Sequence, residues 1–335
     1  MTTARIALDA MGGDDAPAAT VAGALRAVEG GLPAERLILV GDQARLEKEL
    51  AERGGNSGFE LVHASQVIEM GDSPSKALRA KPDSSIGHCV RLVREGAAAS
   101  VVSMGNTGAC VGAATLGLGT LEGVRRPGIA VTLALDGNPI TILDMGANIA
   151  PKADHLAQYG AMGAVYMRDC LGIERPRIGL LNVGEERGKG TDVLKEAHEL
   201  FERQTHEEAE FVGNIEGSDI FRGAADVIVT DGFTGNVILK LLEQFASFLL
   251  GLVMVELKSH EVNWGPQALG KVKQAIDYST YGGALLLGVR GVVVIGHGRS
   301  DEKAVANALV EAARAVDAQV NAHIEQGLAG PRTVS

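Results

Sequence analysis

Short runs of Val, Ile and Leu in this chain end again and again in a glycine-rich polar turn, and a helical stretch follows. That recurrence constrains the fold more than any other feature. Alternating strands and helices predict a mostly parallel sheet covered on both faces. In such a sheet the turns at the carboxyl ends of the strands share one rim, where ligands bind. The stretch Asp231-Gly232-Phe233-Thr234-Gly235-Asn236 between Val227-Ile228-Val229 and Val237-Ile238-Leu239-Lys240 is the fullest example. Its two glycines allow a sharp turn, and Thr234 or Asn236 is placed to cap the new helix. Glycine supplies 44 of 335 residues, about 13% against a typical value of about 7%, and the excess lies at these turns.

The remaining strands read from the sequence are Ile6 to Asp9, Leu37 to Val40, Phe59 to Val62, Ser100 to Val102, Ile129 to Leu133, Ile140 to Leu143, Ile178 to Leu181, Leu285 to Leu287 and Val292 to Ile295. Residues Asp72 to Ser85 read as polar and irregular. Ala109, Gly112, Ala113 and Ala114 predict a helix that packs very close to something. Ser300 is placed to cap the last helix. The apolar run Phe245–Val255 is too short for a membrane span and is bounded by Lys240, Glu243, Glu256 and Lys258. It predicts burial, against a second subunit. The amphipathic stretch Leu269–Tyr278, with Lys271 and Lys273, suits that packing or a membrane surface. The expected organisation is one α/β catalytic unit over 1–335, or two continuous lobes, with a helical hairpin projecting at 237–278.

Several functions are disfavoured. A net charge of −11 and few aromatic residues argue against nucleic acid. The three cysteines form no C-x-x-C pair, which suits a reduced cytoplasm, and the N-terminus shows no signal peptide. Gly184 to Lys189 misses P-loop spacing by one residue, and no G-x-G-x-x-G follows a strand. Neither metal-ligand spacing nor a serine-nucleophile elbow occurs, so no metal or cofactor is expected. Helix N-termini and glycine-rich N–H groups favour a phosphate instead, with Lys189 or Arg126 as countercharge.

Ala10-Met11-Gly12-Gly13-Asp14, Gly105-Asn106-Thr107-Gly108-Ala109, Asp144-Met145-Gly146-Ala147-Asn148, Gly213-Asn214-Ile215-Glu216-Gly217, Asp231 to Lys240, Tyr281-Gly282-Gly283 and His297-Gly298-Arg299-Ser300 resemble the PlsX family. The resemblance runs from about residue 5 to 325. It implies a phosphate acyltransferase of bacterial phospholipid synthesis, which moves a fatty acyl group from acyl carrier protein to inorganic phosphate. It also implies a homodimer with a three-layer α/β/α fold, similar to phosphotransacetylases and the isopropylmalate dehydrogenase superfamily. The product, an acyl phosphate, is destined for membrane acyltransferases, so peripheral membrane contact is a further expectation.

The chemistry asks for an anion pocket, an oxyanion donor and an acid near the departing sulfur. Asn106, Thr107 and the N–H groups of their turn are expected to hold phosphate. Asn236 or Asn148 polarises the thioester carbonyl, and His297 is the candidate acid. Asp9, Asp144 and Asp231 would repel phosphate if they faced it bare and are expected to anchor turns or to orient Lys189, Arg126 and the amide side chains. Lys76, Arg79 and Lys81, with Arg91 and Arg94, are expected to dock the acidic carrier protein or capture phosphate. A phosphotransacetylase-like enzyme using acyl-coenzyme A and a non-catalytic membrane scaffold are the competing readings.

Overall fold

The computed structural model describes residues 4–54, 58–135, 138–203, 208–259 and 282–329. The chain divides into two compact units, Met1–Pro127 with Tyr281–Ser335, and Gly128–Thr280.

In the first unit the strands are β1 (Ile6–Asp9), β2 (Leu37–Gly41), β3 (Glu60–His63), β4 (Ser100–Ser103), β10 (Ala284–Leu287) and β11 (Val292–Ile295). They are ordered β3-β2-β1-β4-β11-β10, all parallel except β10. The central strands β1, β4 and β11 are buried along their whole length, which is why they read as uninterrupted apolar runs. Helices α1 (Ala18–Glu29), α2 (Gln43–Glu52), α3 (Pro74–Ala80), α4 (Ser85–Arg94), α5 (Thr107–Gly117), α9 (Glu302–Asp317) and α10 (Val320–Leu328) complete the unit. α1 lies so close to α9 that a Cβ on Gly23 would sit 2.4 Å from the Cβ of Val305. α5 shows the close packing expected of its small residues, since a Cβ on Gly112 would lie 2.9 Å from Leu78 of α3. A Cβ on Gly108 would meet Pro74 of α3 at 2.6 Å, and one on Gly117 would meet Val90 of α4 at 2.4 Å.

The second unit orders β5 (Gly128–Leu135), β6 (Asn138–Leu143), β9 (Val227–Val229), β7 (Arg177–Leu181) and β8 (Glu210–Ile215), with β5 antiparallel and the rest parallel. α6 (Ala153–Leu171) and α7 (Asp192–Arg203) pack together, and a Cβ on Gly160 would meet the Phe201 ring at 2.5 Å. α8 spans Gly232–Ser259.

Four local expectations need correction. Residues Asp72 to Ser85 are not irregular, because Pro74 at the first helical position, behind Ser73, starts α3. β8, at a sheet edge and half exposed, was not anticipated from its mixed sequence. The last long helix is capped by Asp301, whose carboxylate accepts from Ala304 N–H at 2.9 Å, rather than by Ser300. Finally, the apolar stretch is not confined to Phe245–Val255, and within the single chain α8 leaves it exposed, where burial against a second subunit was expected to cover it. Phe245, Phe248 and Leu252 are 54%, 62% and 51% exposed, and by length and composition alone Gly232–Leu257 matches a helix that could cross a bilayer. The amphipathic stretch Leu269–Tyr278 and Tyr281 lie outside the described residues, as do the second half of the hairpin and the turn at Asp136-Gly137.

Candidate active site

Within the first unit β1, β4 and β11 are parallel neighbours, so the turns after them meet at one edge. Close packing fixes those turns. A Cβ on Gly12 would lie 2.8 Å from Gly105 N, which leaves no room for a side chain, and Gly13 holds a φ of +112° that favours glycine, with the carbonyl oxygen of Gly298 3.3 Å from where a Cβ would stand. Asp14 N–H donates to Gly298 O at 2.7 Å. Beneath them Asp9 is buried and accepts from the Ser103 hydroxyl at 2.7 Å, and the Ser103 oxygen in turn accepts from Gly105 N–H at 3.1 Å. Burial raises the Asp9 pKa, against hydrogen bonding from Ser85, Ser103 and the backbone of Met11 and Gly12. Asp9, the last residue of β1, therefore ties the turn after β4 to the turn after its own strand.

Asn106 is placed at the expected turn, but its side chain is fully engaged. Its Oδ1 caps α5 by accepting from Ala109 N–H at 3.0 Å. Its Nδ2 donates to Met70 O and Asp72 O, both at 3.0 Å. What the turn offers a ligand is therefore backbone. Thr107 and Gly108 are exposed, and among the described residues no acceptor meets their N–H groups at the start of α5. His297 belongs to the same cluster and is exposed. Its Nδ1 accepts from Arg299 N–H at 3.2 Å, which places the ring proton on Nε2, directed away from the turn's own backbone.

α3 rests on α5 through Pro74 and Leu78, so the basic segment adjoins the start of α5. Lys76 and Arg79 are exposed on it and form no ion pair among the described residues. Lys81 differs, since its ammonium is held by Asp72 at 2.6 Å and Val67 O at 2.7 Å, and it lowers the pKa of Asp72 in return. Lys81 therefore ties its own loop together. Arg126 is exposed just before β5 and is likewise without an ion pair among the described residues.

In the second unit the turns after β6, β9, β7 and β8 share one edge. Asp144 is the pin, accepting from the N–H groups of Ile129 (2.9 Å), Gly146 (3.1 Å), Ala147 (3.0 Å) and Asn148 (2.6 Å). Burial still pushes its pKa up against those donors. Asp231, not Thr234 or Asn236, caps α8, because the helix begins at Gly232. Its carboxylate accepts from Thr234 N–H at 2.9 Å and from the Thr234 hydroxyl at 2.7 Å. A Cβ on Gly235 would lie 2.0 Å from Asp144 O, so the two turns touch backbone to backbone. Asn236 stands beside Gly146 and is exposed, and its side-chain amide has no hydrogen bond among the described residues. Asn148 is committed differently, its Nδ2 donating to the Tyr159 hydroxyl at 2.8 Å and its carbonyl accepting from Gly232 N–H at 2.8 Å. Lys189 is exposed on the turn after β7, 3.9 Å from Glu186. Ser103, Asn182, His198 and Asn214 contribute to these turns without having been singled out for a role, although a polar residue directly after or within a buried strand was the available signal.

This arrangement of parallel strands, flanking helices and polar turns is the fold of phosphotransacetylases. Phosphotransacetylase from Streptococcus pyogenes superposes with a TM-score of 0.64 at 18% identity, and EutD phosphotransacetylase from Staphylococcus aureus with 0.60 at 16%, each covering 94% of both chains. Sequence defines the family more narrowly. The model described as fatty acid synthesis protein matches residues 4–323. Phosphate acyltransferase of Dictyoglomus turgidum is 44% identical over 331 residues, covering 97% of each chain. That of Thermosynechococcus vestitus is 42% identical over 335 residues, covering 97% of this chain and 95% of its own. The chain belongs to this family, the PlsX phosphate acyltransferases, and is an enzyme.

Proposed function

We propose that this enzyme transfers a fatty acyl group from the thioester of acyl carrier protein to inorganic phosphate, giving an acyl phosphate for phospholipid synthesis. The observation that carries the reading is the open N-terminus of α5, where exposed Thr107 and Gly108 N–H groups face no acceptor and His297 presents Nε2–H in the same cluster. Phosphate held there needs no activation to attack a thioester carbon. A phosphate oxygen forms the new C–O bond, the C–S bond breaks with the departing sulfur hydrogen-bonded by His297 Nε2–H, and the proton of the hydrogen phosphate ends on the thiol.

Asn236, whose amide is unengaged, polarises the thioester carbonyl as charge develops on its oxygen. Lys189 supplies positive charge to the same reaction. Asn106 acts through the turn it builds rather than by touching phosphate. Lys76 and Arg79 on α3 meet the acidic carrier protein. Ile149 and Phe233, 73% and 65% exposed, each follow a member of the hydrogen-bonded pair Asn148–Gly232. Large apolar side chains beside an amide-bearing turn suit a long acyl chain better than an acetyl group. The apolar surface of α8 fits a second copy of the chain in a cytoplasmic homodimer that works beside the membrane.

Thiol release measured with a thiol reagent, with and without phosphate, tests the proposal. Release that requires both phosphate and the carrier-protein thioester is expected. Equal or greater rates with acyl-coenzyme A would favour the phosphotransacetylase-like alternative, and no phosphate-dependent release would refute acyl transfer.

A further inference from the structure

The motif Gly213-Asn214-Ile215-Glu216-Gly217 takes no part in the chemistry above, yet Asn214 is only 5% exposed. A polar side chain buried to that degree has a partner to satisfy. Its Nδ2 donates to Glu186 O at 3.0 Å, in the loop between β7 and α7, and its Oδ1 faces His198 Nδ1 at 3.0 Å. With Oδ1 as the acceptor, Nδ1 of His198 carries the proton. His198, 7% exposed on α7, is held from behind by an edge-on contact with Phe211, ring centroids 5.1 Å apart.

A second buried amide grips the same loop. Asn182 receives Val183 N–H on Oδ1 at 2.8 Å and donates from Nδ2 to Lys189 O at 3.2 Å. Gly190 is required beside it, since a Cβ there would lie 2.4 Å from the Asn182 oxygen and the backbone φ is +85°. Lys189 N–H closes the loop onto Glu186 O at 3.0 Å, and Arg187 reaches Glu202 of α7 at 2.5 Å. The backbone on either side of Lys189 is thus tied to buried groups, while its ammonium is exposed with only a distant acidic neighbour.

We infer that His198, Asn214 and Asn182 form a buried latch whose purpose is to position Lys189 for the acyl-transfer reaction. The inference rests on the role given to Lys189 above. It makes Asn214 and His198 positioning residues, acting through the loop rather than on substrate, and gives the Gly213–Gly217 motif its function.

A double-mutant cycle separates this from general stabilisation. Phosphate-dependent thiol release is measured for the full chain and for Lys189→Ala, Asn214→Ala and the double variant. Asn214→Ala alone is expected to lower kcat about tenfold, within the coupling range of contacting residues, and to change the rate less than about twofold when Lys189 is already Ala. An equal loss in both backgrounds would overturn the latch. Lys189→Ala at the wild-type rate would also overturn it, while phosphate-dependent release by the wild type would leave the acyl-transfer reading standing. Should Asn214→Ala fold poorly, His198 offers a gentler pair. His198→Asn keeps a donor where Nδ1 stands and is expected to retain near-normal rate, whereas His198→Ala is expected to match Asn214→Ala. Trypsin reads the loop directly, since cleavage after Arg187 and Lys189, identified by mass, should accelerate in His198→Ala but not in His198→Asn. Indistinguishable cleavage in the two would count against the latch.

Discussion

Among the described glycines of the second unit, Gly235 leaves the least room for an added methyl group. The added Cβ would stand 2.0 Å from Asp144 O and about 3 Å from the adjoining backbone carbon atoms. Gly235 does not have a left-handed backbone, so the penalty is contact rather than conformation. The opposing atoms are backbone, held by the four N–H groups that Asp144 gathers, and they cannot rotate aside. Reaching ordinary contact at 3.4 Å requires the α8 and Asp144 turns to part by about 1.4 Å. Overpacking of this kind costs about 1–3 kcal/mol of stability. The larger effect is on rate, because Asn236 is carried on the displaced turn. A misplacement of about 1 Å at reacting groups costs on the order of 100-fold. Thermal unfolding and phosphate-dependent thiol release read both quantities. Gly217→Ala is the control, since nothing lies within 4 Å of its Cβ and its φ is ordinary. Wild-type kcat and midpoint for Gly235→Ala, or equal damage from the two substitutions, would refute the claim that these turns are set by backbone contact.

Three further outcomes follow from the same geometry. Burial raises the Asp9 pKa above 3.8, so the folded chain holds its proton more tightly than the unfolded chain. The stability this brings is fully present below the unfolded value and is lost as pH rises through the folded one. Asp9→Asn should therefore gain midpoint temperature relative to wild type as pH rises above about 4, and a constant difference would contradict it. Ile149→Ser with Phe233→Ser should flatten the dependence of kcat/KM on acyl length, which a buried chain raises by up to about fourfold per methylene, while sparing short thioesters. A uniform loss at all lengths would remove those residues from acyl binding. Lys76→Glu with Arg79→Glu should raise KM for the carrier-protein thioester at low salt, with little change at high salt or with a coenzyme A thioester. An unchanged KM at low salt would place docking elsewhere.

Much of this architecture was legible because buried parallel strands leave an unmistakable trace. Val101, Val102, Ile228 and Val294 are all fully or almost fully enclosed, and each belongs to a run read correctly as a strand. β8 escaped notice for the opposite reason, since Phe211 and Gly213 are only half buried at a sheet edge. Local chemistry also fixed α5, whose glycines had to face another helix. It did not fix the caps. Asp231 and Asp301 each lie a residue or more away from the expected capping residue, because sequence places a helix start less sharply than its interior. Asn106 shows a deeper limit. Its turn was found from the sequence, but its amide binds carbonyls more than 30 residues earlier, at Met70 and Asp72, a contact that no local pattern encodes. The same holds for Lys81, whose partner Asp72 turns an apparent docking charge into a tie within its own loop. The Asn214–His198 pair likewise joins β8 to α7 through side chains that sequence shows only as separate polar residues.

The central claim is that the start of α5 receives phosphate on its open N–H groups. A crystal structure of the full chain soaked with inorganic phosphate tests it most directly. The account predicts a tetrahedral ion about 3 Å from the Thr107 and Gly108 nitrogens. Phosphate ordered elsewhere on the protein, with that turn empty at a saturating concentration, would contradict it.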